Sequence, residues 1–464
     1  IPQLVVHESD VHHYLRRLKG TCHGPDLISS AIYRIFADEL SVPLAHIFNA
    51  CGAQWKFPNS WKYADITPIP KGDGDYRPIS LLPAPSKILE RLIQEKVLLP
   101  SLSFVPNRSH FEFFPNHIGG CNLALTSIRL NIVQHLCKSK SYSRVLALDF
   151  SKAFDSVSHF TLLECLQNDH CCHPLTLKLI KSFLENHHQR VRVNGLNTDF
   201  IPVTSGVPQG SVLGPLLFVL LINDVKTLYE NSSLVCYADD ITLIHNVTNA
   251  DKFKDEVINL FQWATRKHLK INLKKTKSMC VSRKIEQPSL SPIVINGVTL
   301  EEVDQLKILG VIFSSDASWK HQVRALHLKC CRSMSFVRCA WSSGCPSHVV
   351  WLIFRSLVLS QIYFCWPSMC DMSVSDFKRF EKLKKTVVRW TGGGDSIQLR
   401  DQLDRVCIKI IEDISTSGLF HPLSKFFHFR ASNVKLRHHR LLAPLFLIRN
   451  NLYAQSFIRF YQFS

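Results

Sequence analysis

Two adjacent carboxylates in an apolar setting constrain this chain more than any other feature. Leu234-Val235-Cys236 lead into Tyr237-Ala238-Asp239-Asp240, and Ile241-Thr242-Leu243-Ile244 follow. Two β-type runs around a polar pair read as a hairpin with the aspartates at its turn. Like charges side by side against an apolar flank are unfavourable unless a positive group neutralises them. A hard divalent cation takes carboxylate oxygens and keeps positions open for phosphate. The pair is therefore a candidate metal site for phosphoryl or nucleotidyl transfer. The bland alternative is a solvated Asp-Asp turn.

The remaining composition bears on the partner. Lys and Arg number 55 against 37 Asp and Glu, for a formal charge of +18. Such a surplus points to a polyanion, since phosphate neutralisation and counterion release drive binding of that kind. The 464 residues and an apolar fraction of 46% suit two or three folded domains. No secretory signal opens the chain, and no CxxC pair finds a partner pair among the 16 cysteines. They read as mostly buried thiols in a reducing compartment. The apolar stretch Val212–Ile222 carries Gly214-Pro215 and is too short to span a bilayer. A start at Ile1 points to a segment of something longer.

Residues 1–60 read as helical, with Pro43 and Pro58 as punctuation. A strand over Ala64–Ile69 leads into the glycine-rich turn Lys71–Asp75, then Tyr76–Ser80, then an amphipathic helix from about Ser86 to Leu98. Arg144–Phe150 reads as a buried strand ending near Asp149, with Ser158 as the N-cap of the next helix. Arg190–Asn194 and Phe200–Val203 form a hairpin. Ser205–Gln209 is a loop, and Ser211–Asp224 an apolar helix. A helix runs on to about His268 with Phe253, Val257, Phe261 and Ala264 on one face. Strands 293–295 and 298–300 flank an Asn-Gly turn, and Lys307–Phe313 reads as one strand. From Trp319 the pattern is helical and basic. Strands and helices alternating in the centre, with helices at both ends, indicate an α+β core.

A two-metal site needs a carboxylate from a second element. Asp149, at the end of Val145-Leu146-Ala147-Leu148-Asp149-Phe150, is the best candidate. Leu148-Asp149-Phe150-Ser151-Lys152-Ala153-Phe154-Asp155 resembles the first catalytic motif of reverse transcriptases. Ser205-Gly206-Val207-Pro208-Gln209-Gly210-Ser211-Val212-Leu213-Gly214-Pro215 resembles their template and nucleotide loop, and Tyr237-Ala238-Asp239-Asp240 their second catalytic motif. The three stand in the family's order. Trp61–Pro70 with Lys71, Tyr76–Leu82, Asn223-Asp224, Asn272 with Lys275-Thr276-Lys277, Leu309-Gly310-Val311 and Trp319 give the resemblance a LINE-type, non-LTR retrotransposon character.

The resemblance implies an RNA-directed DNA polymerase with a right-hand fold. Its divisions would be an N-terminal helical extension (1–50), fingers and antiparallel-sheet palm (51–315), and a helical thumb with the C-terminal region (316–464). Asp149 and Asp239 would be the principal metal ligands, with Asp240 beside them and the Phe150 carbonyl completing a shell. Lys71 and Arg77 would grip the triphosphate of a dNTP. Phe154 would exclude a 2′-OH, Gln209 and Gly210 would let the backbone approach the nucleotide, and Lys275 matches a position that protonates pyrophosphate. Mg²⁺, with Mn²⁺ as the alternative, would be the cofactor. An RNA template and a DNA primer would be the partners; no membrane and no protein partner is implied. The family implies nuclear and cytoplasmic localisation.

Asn223-Asp224 reads as structural. The helix 377–389, with Phe377, Phe380, Leu383 and Val387 on one face and Lys378, Arg379, Lys382, Lys385 and Arg389 elsewhere, suits a thumb helix tracking a nucleic-acid backbone. The segment 110–120 departs from the family pattern. Glu112 stands in place of a glycine, Phe114 of an arginine, and Ile118-Gly119 of a Ser-Thr pair. Those departures leave a second reading, a catalytically decayed or co-opted nucleic-acid-binding remnant.

Overall fold

In the computed structural model the described residues are 3–20, 23–72, 74–102, 107, 109–112, 119–137, 142–247, 250–283, 291–393, 397–417, 421–430 and 441–444. Helices α1 (Glu8–Arg16), α2 (Ser30–Ile35) and α3 (Ala37–Gln54) open the chain. Strands β1 (Tyr63–Pro70) and β2 (Tyr76–Leu81) pair antiparallel and close over the glycine-rich turn, where the Lys71 N–H donates to the Asp75 carbonyl at 2.8 Å. Helix α4 (Ala84–Ile93) runs through a π-helical turn into α5 (Leu99–Ser101). Next come α6 (Cys121–Leu136), β3 (Tyr142–Leu148), α7 (His159–Asn168) and α8 (Pro174–Leu184). Ser158 caps α7 as its sequence position indicates.

Strands β4 (His187–Val193), β5 (Leu196–Asn197) and β6 (Ile201–Val203) lead to α9 (Leu213–Ile222). Then follow β7 (Ser232–Tyr237), β8 (Asp240–Val247), α10 (Ala250–Arg266), β9 (Lys277–Val281), β10 (Val294–Ile295), β11 (Val298–Thr299) and β12 (Glu301–Glu302). Lys307–Phe313, expected as one strand, is instead a hairpin of β13 (Gln305–Ile308) and β14 (Val311–Ser314). Leu309 (φ +46°) and Gly310 (φ +84°) both take the left-handed conformation. Alternation reads straight through such a turn because leucine rarely adopts it. Helices α11 (Lys320–Ser342), α12 (Ser347–Phe354), α13 (Ser360–Met369), α14 (Val374–Thr391) and α15 (Leu399–Ser417) come next. The helical expectation for the C-terminal region is corrected by β15 (Phe427–Arg430) and β16 (Leu441–Pro444), which pair antiparallel.

The chain divides into two compact units. The first comprises Ile1–Asn107, Phe150–Val225 and Phe261–Lys270, the second Arg108–Asp149, Lys226–Leu260 and Ile271–Ser464. The first unit holds a sheet of order β2-β1-β4-β5 with β6 on β4. Asp65, fully buried on β1, accepts from Arg190 Nε at 2.7 Å on the parallel neighbour β4. Helix α9 is apolar on every side and buried at every residue but the half-buried Pro215, as such a helix must be. Asn223-Asp224 are structural: Asp224 pairs with Lys267 at 2.9 Å and accepts from Trp263 Nε1, while Asn223 meets Asn107.

The second unit holds the sheet β12-β9-β3-β8-β7, antiparallel from β9 to β7 with β12 joining parallel. Its core continues through Val145, Ile244 and Met279 into α6 and the helices from α11 onward. There Arg129 and Asp371, both buried, pair at 2.6 Å, and Asp371 also accepts from Trp319 Nε1. The run Ser347–Met369 is long and apolar enough to cross a membrane. Its Val350, Phe354, Val358, Ile362 and Trp366 are buried in this core. The described cysteines are free thiols, most of them buried.

Candidate active site

The second unit gathers the three aspartates. Tyr237 pairs with Asp240 across a two-residue turn, Ala238-Asp239, with Ala238 at φ +50°. On the other side of β8, the last pair of the ladder is Leu148↔Ile241. Asp149 follows Leu148 and Asp240 precedes Ile241, so the two lie level at the strand ends. A turn after α10 fixes the end of β3: the Asp149 N–H donates to Thr276 Oγ1 at 3.2 Å, and its carbonyl accepts from the Asn272 N–H at 2.8 Å.

The surrounding protein, and after it the charges of Asp239 and Asp149, push the Asp240 carboxyl up to about 6, although the residue keeps part of its surface in solvent. A cavity of about 240 Å³ adjoins Asp240 and includes Lys307, Leu309 and Gly310 in its lining. Lys275 is exposed on the turn that holds Asp149, its N–H directed at Asn272. Among the described residues, no three His, Cys, Asp or Glu side chains are close enough to hold a metal ion as they stand.

A fourth carboxylate stands beside this group. Ser109 and Phe111 hydrogen-bond to Cys236 on β7, and the Phe111 carbonyl accepts from the Gly120 N–H at 2.7 Å. A Cβ at Gly119 would lie 2.3 Å from that carbonyl, so the backbone packing demands glycine there. Glu112 thereby reaches Tyr237, with which it hydrogen-bonds. Its Oε2 is buried and has no hydrogen-bond partner among the described residues. Burial, with Asp239 and Asp240 behind it, pushes its carboxyl up to about 7. Burial, then Cys121 and Glu112, drives the Tyr237 hydroxyl far above its usual range. Phe114 and Ile118 lie outside the described residues.

The other expected site residues belong to the first unit. Lys71 and Arg77 are exposed on the β1–β2 hairpin. Phe150 is buried, and Phe154 is half-buried with its ring 4.6 Å from that of Phe218. Gln209 Nε2 donates to Asp155 Oδ1 at 2.9 Å, and the Gln209 carbonyl accepts from the Ser80 N–H at 2.7 Å. Gly210 (φ +128°) has a structural reason to be glycine, since a Cβ would sit 2.6 Å from the Ser80 carbonyl. A cavity of about 450 Å³ lies beside this loop, with Ser80, Lys152, Asp155, His159 and Gln209 in its wall.

Several positioning residues escape a sequence reading. Glu90, fully buried on α4, accepts from the Val212 and Leu213 N–H groups at 2.7 and 3.2 Å and so holds the start of α9 just beyond Gln209-Gly210. Nothing in its helical context marks it. Asp155 and Thr276 stand inside motifs that the sequence does single out, without a role attached.

Residues 69–313, more than half of the chain, match the family described as reverse transcriptase (RNA-dependent DNA polymerase). The chain is 27% identical to the probable RNA-directed DNA polymerase from transposon X-element of Drosophila melanogaster, over 92% of this chain and 47% of that protein. It is 28% identical to the RNA-directed DNA polymerase from mobile element jockey of the same species (82% and 43%), and 30% identical to that of Drosophila funebris (65% and 34%). It thus spans about half or less of the length of these relatives. Among solved structures it is similar to telomerase from Candida tropicalis in complex with a fragment of telomeric RNA, at 13% identity and a TM-score of 0.42, covering 86% of this chain and 67% of that one. With more than half its length matched, the protein belongs to the reverse transcriptase family, in the branch of LINE-type non-LTR retrotransposons.

Proposed function

We infer that this chain is the RNA-directed DNA polymerase of its element, extending a DNA 3′-OH along an RNA template with dNTPs. The observation that carries the reading is the convergence of Asp149 with Asp239 and Asp240 at the ends of β3, β7 and β8. The donor set is all oxygen and excess in negative charge, which suits Mg²⁺, with Mn²⁺ as the alternative. Asp149 and Asp239 would hold the ions, Asp240 would add charge beside them, and the Phe150 carbonyl would contribute one oxygen. Bound there, two such ions would activate the attacking hydroxyl and stabilise the leaving oxygen.

The remaining roles follow from chemistry. Lys71 and Arg77, exposed on one hairpin, would grip the triphosphate, Arg77 through its bidentate fork. Phe154, its ring fixed against Phe218, would stand against the sugar and reject a 2′-OH. Gln209, clamped by Asp155 and Ser80, would position the nucleotide together with Gly210. Lys275 would protonate pyrophosphate. Residues 51–315 would form fingers and palm and 316–464 the thumb and beyond, with 1–50 an extension, acting in nucleus and cytoplasm. Primer extension on poly-rA/oligo-dT with dTTP and Mg²⁺ or Mn²⁺ tests the reading. Extension that disappears in Asp239→Ala supports it; extension unchanged in that variant, or absent from the parent chain under both metals, overturns it.

A further inference from the structure

Helix α14 carries more than a generic basic face. Phe377, Phe380 and Val387 are buried in the core, and Lys384, which a charge count would place outside, is buried with them. Its Nζ donates to the Ile397 carbonyl and to Gln402 Oε1. The exposed cations Lys378, Lys382, Lys385 and Arg389 recur at steps of four, three and four, which aligns them in one stripe about 16 Å long. None of the four has an ion-pair partner among the described residues. Lys382, Lys385 and Arg389 also line an open groove of about 680 Å³, together with Thr386 and Val388.

At its C-terminal end the stripe meets an aromatic pair. Trp390 stacks on Trp341 of α11 with ring centroids 5.3 Å apart and planes 14° from parallel. Trp341 Nε1 donates to the Trp390 carbonyl at 2.7 Å, which fixes the indole in place while 40% of the residue remains exposed. A cationic track holds any polyanion. A fixed, partly exposed indole on the neighbouring helix adds something that only an unstacked base can use, because paired bases present their edges and not their π-faces.

We propose that the α14 groove and the Trp341–Trp390 stack bind single-stranded RNA, the phosphates along Lys378, Lys382, Lys385 and Arg389 and a base on Trp341. This deepens the polymerase reading by naming the occupant of one face, and the test uses binding alone, without metal or nucleotide, so that failure of catalysis does not affect it. The whole chain is titrated by fluorescence anisotropy with labelled oligo-U and with a blunt RNA–DNA duplex, over a series of salt concentrations. Lys382→Gln/Lys385→Gln/Arg389→Gln is expected to weaken oligo-U binding and lower its log–log salt slope by about 2. Trp341→Ala is expected to weaken oligo-U binding roughly 5- to 150-fold with the duplex unchanged. Should Trp341→Ala melt early, quenching of the parent chain's tryptophan fluorescence by oligo-U and not by the duplex decides in its place. Equal losses on duplex and single strand in Trp341→Ala, equal tryptophan quenching by both, or no loss on oligo-U in the triple variant, would overturn the proposal.

Discussion

Thr276 holds the main chain of Asp149: its hydroxyl oxygen accepts the Asp149 N–H at 3.2 Å, and the side chain is fully buried. Asn272, four residues earlier, takes the Asp149 carbonyl. The end of β3 is therefore fixed from both main-chain groups by one turn. Thr276→Val keeps the shape and deletes the acceptor, removing this hydrogen bond at a cost of about 0.5–1.5 kcal/mol. Thermal melting should show that loss, and single-turnover extension should slow as Asp149 drifts. Thr276→Ser should restore both. A valine variant with parental stability and rate would show that the hydrogen bond has no positioning role.

Ala238 carries strain at the turn between Tyr237 and Asp240. Its φ of +50° crowds a Cβ against the following carbonyl. Ala238→Gly should raise stability by about 1 kcal/mol, the reverse of the penalty for alanine at a positive φ. Ala238→Val, branched at Cβ, should lower it. Urea unfolding of the two variants against the parent checks the ordering; valine at or above the parent would remove the strain argument.

Glu90 gives a pH dependence with a defined sign. Burial raises its carboxyl from 4.5 to about 7 against the lowering effect of the Leu213 and Val212 amides. Between those values the folded chain holds a proton that the unfolded chain releases. Its contribution to stability is therefore intact below about pH 4.5 and is lost as pH rises through about 7, on the order of 3 kcal/mol in all. Glu90→Gln has no proton to lose. Its advantage over the parent in urea unfolding should grow from about pH 5 to about pH 8, and a constant difference would refute the assignment.

What the sequence made legible was whatever depends on local pattern. The Asp239-Asp240 hairpin, the buried strand ending near Asp149, the cap at Ser158 and the apolar helix α9 each follow from alternation, capping or continuous hydrophobicity. Long-range hydrogen bonds carried no such mark. Glu90 looks like any charge in an amphipathic helix, yet it reaches the amides of Val212 and Leu213. Glu112 reads in the sequence only as a departure from the family pattern, with no place in the fold attached. The backbone pairing of Ser109 and Phe111 with Cys236 sets it beside Tyr237 and the aspartates. The Leu309-Gly310 turn was hidden because a leucine occupied a left-handed position, and Lys384 because composition does not reveal which lysine of a basic helix faces inward.

Asp240 would make the proposed cation binding at the hairpin pH-dependent. Its surroundings, with Asp239 and Asp149, raise its carboxyl from 3.8 to about 6, so at about pH 5 the folded chain holds a proton where a cation would draw on the charge. Proton and cation then compete. The melting-temperature rise produced by Mg²⁺ should be small at about pH 5 and larger at about pH 8, where the Asp240 carboxyl has lost its proton. Asp240→Asn removes the titrating group; it should lower the Mg²⁺ effect at high pH and flatten its dependence on pH. Mn²⁺ should follow the same pattern, since the competition concerns the carboxylate and not the identity of the ion. A Mg²⁺ effect of equal size at both pH values in the parent chain would show that the carboxylates at the hairpin do not bind the ion.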